Sequence, residues 1–337
     1  MYPDQGRIKQ LVTDAQRIVV LQADNPDGDS LGSALALESI LGDMGKQVYL
    51  YCAVDMPTYL RYLAGWDRVQ SELPKQFDLS IVVDASTMTL FEKLSASGQQ
   101  GWVAAKPCIV LDHHEVVENL IPFATVTIND HQRASTGELI YLLAKEFNWP
   151  LSKSAQEFIM TSILGDTQGL TNQLASSQTY RLMAEMVEAD VNRPQLEELR
   201  REYGKMQPEI FRYKGELIKR AEFSDDGRLA LVTIPQNEIT QYSPLYNPAP
   251  LIQNDLLQTA GVQVAVVFKH YADGKITGAI RCNPSAPIAA KLGEMFGGGG
   301  HAFASGFKLT DGRSLDDVKS EFASNANMLL ATLDKDG

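Results

Sequence analysis

The residues able to do chemistry stand at the ends of apolar runs. Ile109-Val110-Leu111 leads straight into Asp112-His113-His114, and three carboxylate segments repeat the arrangement. Residues 17–21 lead into Asn25-Pro26-Asp27-Gly28-Asp29, residues 79–83 into Asp84, and Ile163-Leu164-Gly165 into Asp166. Each carboxylate alone has a plain structural explanation. Pro26-Asp27-Gly28 is ordinary turn chemistry, Asp84 could cap a helix, and Gly165 could simply end one. A calcium loop counted from Asp27 fails, because Leu31 occupies a ligand position and the segment reads as strand-turn-helix. Two adjacent histidines after an aspartate are harder to explain by packing. Imidazole is the commonest side-chain metal ligand, and a neighbouring acid can orient its second nitrogen.

Together, Asp27, Asp29, Asp84 and Asp166 carry four negative charges, which two divalent cations would balance. Oxygen ligands with imidazole suit manganese, and zinc, iron and cobalt accept the same donors. Two such ions about 3.5–4 Å apart activate water for attack on a phosphoester, so no catalytic serine or cysteine is required. A second feature is Gly297-Gly298-Gly299-Gly300-His301, flanked by Phe296 and Phe303. Glycines beside an apolar anchor let a backbone approach a phosphate or base, with His301 as a donor and Arg281 as a fork for phosphate.

These residues need a sheet to hold them. Strands are expected at 17–23 and 46–53, before Asp84 and Asp112, and at 124–128. Helices are expected at 30–42, 58–63, 135–147, 154–164 and 177–188. Strands alternating with helices predict an α/β fold with a mostly parallel sheet and helices on both faces. Such sheets bind ligands at the carboxyl ends of their strands. Composition shifts near residue 190, and a helical connector is expected over 190–219. It would join a catalytic domain at 1–189 to a smaller mixed α/β domain at 220–337. The latter would have strands at 229–235, 262–269 and 275–281, a helix at 287–295, a strand at 305–309 and a last helix from Ser314.

The chain has 337 residues, 44% hydrophobic and 21% charged, with a net charge of −12. That balance argues against a general nucleic-acid coat, which needs a basic face, but not against short anionic substrates. No apolar run is long enough to span a bilayer, and no secretory signal is visible. Cys52, Cys108 and Cys282 are widely spaced, as expected for free buried thiols in a cytoplasmic protein.

As a set, and in this order, the motifs resemble the DHH phosphoesterase family with its DHH-associated C-terminal domain. Within it they are most similar to the short stand-alone nanoRNase and 3′-phosphoadenosine 5′-phosphate phosphatase group, also described as exopolyphosphatase-related or RecJ-like. The resemblance implies two Mn²⁺ ions between two domains. Asp27 and Asp84 would hold the first, and Asp29, Asp84, His113 and Asp166 the second. His114 would contact the substrate phosphate and Asp112 would orient the histidine pair. Arg281, Gly298, Gly299, Gly300 and His301 would hold the far end of the nucleotide. One position departs from the pattern: where relatives carry a histidine for the first metal, this chain has Ala23. Asp24 could take its place only if the backbone turned differently. The expected activity is removal of mononucleotides from short RNA, with the 3′-phosphate of phosphoadenosine phosphate as a second target. Alternatives are cyclic or linear dinucleotides, single-stranded DNA, polyphosphate, or a non-catalytic nucleotide-binding protein. Expected partners are short RNA or small phosphorylated nucleotides and no membrane, with a homodimer as the assembly to test.

Overall fold

The aliphatic runs at 17–21, 79–83 and 108–112 become the central strands of a parallel sheet, buried on both faces as their near-continuous hydrophobicity requires. The computed structural model describes residues 2, 4–114, 119–243 and 246–336, except for the side chains of His301 and Asp336. The chain divides into two compact units, Met1–Lys205 and Met206–Gly337.

The first unit begins α1 (Gln5–Asp14), β1 (Arg17–Leu21), α2 (Gly28–Asp43), β2 (Gln47–Tyr51), β3 (Val69–Gln70), β4 (Leu79–Val83), α3 (Glu92–Ala96) and α4 (Gln100–Ala104). It continues with β5 (Cys108–Asp112), β6 (Val126–Asn129), α5 (Thr136–Phe147), α6 (Lys153–Asp166), α7 (Ser177–Glu188) and α8 (Arg193–Tyr203). Its six strands pair in the order β3-β2-β1-β4-β5-β6, all parallel. The order reverses between β1 and β4, which opens a crevice at their carboxyl ends. Alternation sorts the side chains. Ile18 and Val20 pack with Leu35 and Ile40 of α2, Leu139 of α5 and Ile159 of α6. Val19 and Leu21 face Phe91, Leu94 and Val103 on the other side. The predicted α/β architecture is therefore present.

The second unit contains α9 (Pro208–Lys219), β7 (Glu222–Phe223), β8 (Leu229–Pro235), α10 (Gln236–Tyr242), α11 (Pro248–Leu257), β9 (Val264–His270) and β10 (Ile276–Cys282). After these come α12 (Ala289–Met295), β11 (Gly299–His301), β12 (Ala304–Leu309) and α13 (Leu315–Asp336). Its mixed sheet runs β11-β12-β10-β9-β8-β7, with β8 and β9 parallel and the other pairs antiparallel. Phe268, Phe307 and Phe322 fill the face covered by α12 and α13, while Val232 and Val267 face α9 and α11.

Several elements go beyond the sequence expectations. Helix α1 buries only Ile8 and Val12 along a mostly polar segment, too thin a stripe to read unaided. Helix α11 starts at Pro248, where proline suits a first turn. The glycine run, for which no element was expected, contributes the short strand β11. Among the described residues no helix is long and apolar enough to cross a membrane, and all three cysteines are buried and unbridged.

Candidate metal centre

Each candidate ligand is delivered by the end of an element. Asp112 closes β5, so His113 and His114 follow at the carboxyl edge of the sheet. Asp84 lies just past β4 with φ at 59°, a left-handed conformation that is uncommon outside glycine. Its amide still donates to Leu111 O at 2.9 Å, so the strand keeps its pairing and then turns sharply. Asp27 is the N-cap of α2, its Oδ1 accepting from the amides of Asp29 and Ser30 at 3.0 Å each. The helix thus begins two residues before the predicted start, and Asp29 falls in its first turn. Asp166 ends α6, where Gly165 comes against Gly28 of α2.

These chain ends converge on one imidazole. His113 Nε2 lies 2.9 Å from Asp166 Oδ2, 3.4 Å from Asp29 Oδ2 and 3.7 Å from Asp84 Oδ1. Its Nδ1 faces the carbonyl oxygen of Arg133 at 3.3 Å. A carbonyl only accepts, so Nδ1 carries the hydrogen and a neutral ring points its lone pair at three carboxylate oxygens. Nε2 is buried there without a well-formed hydrogen bond. A cation would relieve that arrangement, either a proton or a divalent ion.

The electrostatics agree. Burial opposes a charge on His113, yet the Asp166 and Asp29 carboxylates hold its pKa up at about 9. Burial, then the fields of Asp29, Asp27 and Asp166, push Asp84 well above the usual carboxylate range. Burial and Asp29 raise Asp166 to about 6, and the same two causes raise Asp27. This is a set of crowded anions short of positive charge. Two groups of ligand atoms, Asp29-His113-Asp166 and Asp84-His113-His114, each lie within 4.8 Å of one another. The donor set fits a divalent cation.

Asp29 is fully buried and heavily hydrogen-bonded. Oδ1 accepts from Ser162 Oγ at 2.5 Å, Ser33 Oγ at 2.9 Å and Gly137 N at 3.2 Å, while Oδ2 accepts from Thr136 N at 2.8 Å. Burial works against its charge, but His113 and the Ser162 hydroxyl hold its pKa below the usual range. Asp112 Oδ1 accepts from the His113 and His114 amides and sits 2.9 Å from His114 Nδ1. That bond raises the pKa of His114, whose other neighbour is Asp84 Oδ1 at 3.5 Å.

The other side of the centre is sparser. Asp27 is near enough for its charge to reach Asp84 and Asp166, but its oxygens belong to neither converging group. Ala23 is buried among Leu21, Tyr51 and Phe91. Asp24 is tied to the start of α3, its Oδ2 accepting from Lys93 N at 2.8 Å and its amide donating to Leu90 O at 2.8 Å, while its Oδ1 is buried without a hydrogen-bond partner among the described residues. Glu38, the twelfth position counted from Asp27, instead pairs with Arg68 at 2.6 Å.

In the second unit, Arg281 sits on β10 opposite Ala304, with Nη1 donating to Ile280 O at 3.1 Å. A Cβ on Gly298 would collide with Gly306 and Phe307, and one on Gly300 (φ 149°) with Ala304 and Ser305. These two glycines are therefore required where the run packs against β12. Gly299 has open space beside it. His301 has its backbone in β11, and its side chain lies outside the described residues.

Sequence reasoning missed the groups behind the ligands: Ser33, Ser162, Thr136, Gly137 and the Arg133 carbonyl. One signal was present. Ser33 follows Asp29 by four residues and Ser162 precedes Asp166 by four, so each shares a helix face with a candidate ligand.

Residues 17–164 match the DHH family, N-terminal domain, and residues 248–328 match the DHHA1 domain. The bifunctional oligoribonuclease and PAP phosphatase NrnA of Bacillus subtilis strain 168 is 23% identical over 299 residues, covering 88% of this chain and 90% of that protein. Among solved structures, an exopolyphosphatase-related protein from Bacteroides fragilis superposes with a TM-score of 0.84 at 21% identity, covering 96% of this chain and 97% of its own. RecJ from Thermus thermophilus, in complex with Mn²⁺, gives 0.58 at 15% identity, covering 97% of this chain and 55% of its own. Residues 17–164 are thus a DHH-family domain followed in order by a DHHA1 domain, and with acidic and histidine side chains gathered at the sheet's edge the chain is a hydrolase that acts on phosphoester bonds of nucleotides.

Proposed function

We propose that this protein is a divalent-metal-dependent hydrolase of short oligoribonucleotides that also takes the 3′-phosphate from 3′-phosphoadenosine 5′-phosphate. The observation that carries the metal dependence is the His113 Nε2 lone pair enclosed by carboxylates of Asp29, Asp84 and Asp166. The substrate reading is supported by the oligoribonuclease and PAP phosphatase activities of the NrnA relative. It is also supported by the net charge of −12, which disfavours long nucleic-acid tracks.

Asp29, His113 and Asp166, with Asp84, would hold one ion, and Asp84 with Asp27 a second. Bound divalent cations supply Lewis acidity and lower the pKa of water. The chain's own groups do the rest. Asp112, bonded to His114 Nδ1, raises the pKa of that ring and holds it beside Asp84, favouring positive charge at the position assigned to the substrate phosphate. Arg281, Gly298, Gly299, Gly300 and His301 are assigned to substrate recognition. Manganese is the expected metal, and with no histidine at Ala23 the Asp27 position binds its ion more weakly.

The test is release of mononucleotides from di- to pentaribonucleotides with and without Mn²⁺, beside phosphoadenosine phosphate, cyclic dinucleotides, single-stranded DNA and polyphosphate. Asp84→Ala should lose several kcal/mol of transition-state stabilisation, on the order of a thousandfold in rate. An undiminished Asp84→Ala rate would reject the site, and preference for another panel member would reject the substrate.

A further inference from the structure

The metal-centre reading leaves one buried cluster without a role: the hydroxyls of Ser33, Ser135 and Ser162, none of them exposed. They come from α2, the N-cap of α5 and α6, three helices that carry or flank the ligands. Gly32 and Gly137 let these helices close on Ser162. A Cβ on Gly137 would overlap Ser162 Oγ, and one on Gly32 would press on the Phe158 carbonyl and Ser162 Cβ.

The hydrogen-bond directions follow from counting protons. A serine hydroxyl has one to give, and a carboxylate has none. Ser162 therefore gives its proton to Asp29 Oδ1 at 2.5 Å, accepts from Gly137 N at 3.0 Å and lies 2.8 Å from Ser135 Oγ. Ser135 in turn accepts from Glu138 N at 3.1 Å. The first-turn amides of α5 thus donate to both hydroxyls, and the Ser162 hydroxyl donates on to the Asp29 carboxylate, each bond polarising the next. Ser33 Oγ and Gly137 N fill the remaining approaches to Oδ1, at 2.9 and 3.2 Å. Oδ2 is the oxygen left facing His113 Nε2, at 3.4 Å.

We infer that Ser162 is a positioning residue for the metal centre: its hydroxyl, held by the Gly137 amide and packed against Ser135, locks the rotation of the Asp29 carboxylate so that Oδ2 meets a divalent cation together with His113 and Asp166. Ser162 acts through Asp29 rather than on substrate. The inference rests on the metal-centre reading above. Groups that orient a ligating carboxylate commonly contribute ten- to a hundredfold in metal affinity.

The experiment is calorimetric titration of the metal-free full chain with Mn²⁺ at one fixed pH. It compares wild type, Ser162→Ala, Ser33→Ala, Asp29→Asn and the double variant Ser162→Ala/Asp29→Asn, with circular dichroism as the check on folding. Ser162→Ala should raise Kd by about 10–100-fold, and Ser33→Ala by less. The Ser162 effect should vanish in the Asp29→Asn background, because the hydroxyl works only through that carboxylate. An equal penalty in both backgrounds is what a merely structural serine gives, and it overturns the proposal. So does a Ser162→Ala Kd within about twofold of wild type. Should Ser162→Ala fail to fold, Ser162→Cys keeps the volume with a weaker donor, and its Kd should still rise. A wild-type chain that binds no Mn²⁺ would instead overturn the metal centre itself.

Discussion

The two halves of the metal centre are built to different standards. Around Asp29, His113 and Asp166, the chain uses two serine hydroxyls, the first amides of α5 and the Arg133 carbonyl to fix ligand orientation. Around Asp27 there is the helix cap, the apolar Ala23, and an aspartate bonded to Lys93 N. In the proposed centre one half is preorganised by the protein, and the other has fewer groups to orient its carboxylate. Ligand count alone does not describe the centre, since orientation of each ligand is costly when the groups behind it are missing.

The comparison can be broken most severely with pH. The His113 pKa is raised from 6.5 to about 9 without metal, so a proton competes for Nε2 at every pH below that. Apparent Mn²⁺ affinity should rise by up to about tenfold per pH unit between pH 7 and 8.5, with proton release. Anaerobic calorimetry in two buffers of different ionisation enthalpy measures both quantities. The stability of the metal-free protein should move oppositely. Protonated His113 stabilises the fold fully below about pH 6.5, and that contribution is lost as pH rises through about 9. A pH-independent Kd would mean that His113 is not a ligand of the strong half.

A smaller effect probes the weak half directly. Ala23→His restores the missing donor, and the weaker of two Mn²⁺ binding steps should tighten by about tenfold, within the range of one added metal-orienting group. The stronger step should stay unchanged. Because Ala23 is buried, circular dichroism must show an intact fold before the titration is read. Tightening of the strong step instead would reverse the assignment of the two halves.

The smallest effect concerns Asp24. Its bond to Lys93 N makes it a structural residue, so Asp24→Ala should cost roughly 1 kcal/mol of stability in chemical denaturation. Mn²⁺ binding and hydrolysis by Asp24→Ala should match wild type. Loss of one equivalent of metal would show that Asp24 is the substitute ligand after all.

Much of the fold was legible because burial writes itself into composition. Strands β4 and β5 are sealed on both faces, so their sequences are almost purely apolar, and Asp84 and Asp112 at their ends stand out. Helix α1 and strand β11 were not legible, since one buries a thin stripe and the other is glycine and histidine. In the glycine run, sequence pointed to phosphate approach for every glycine. Packing shows that Gly298 and Gly300 answer first to β12, with Gly299 left open.

By itself, the sequence determined which side chains are worth gathering: carboxylates and imidazoles at the ends of buried runs are too expensive to strand there without a cation. Only the tertiary structure decided how they are gathered. The left-handed turn at Asp84, the approach of Gly28 to Gly165 and the aim of the α5 amides at Asp29 depend on contacts between segments far apart in the chain. Local propensity carries no information about which distant group will supply a hydrogen bond, so the identity of the ligands is local and their orientation is not.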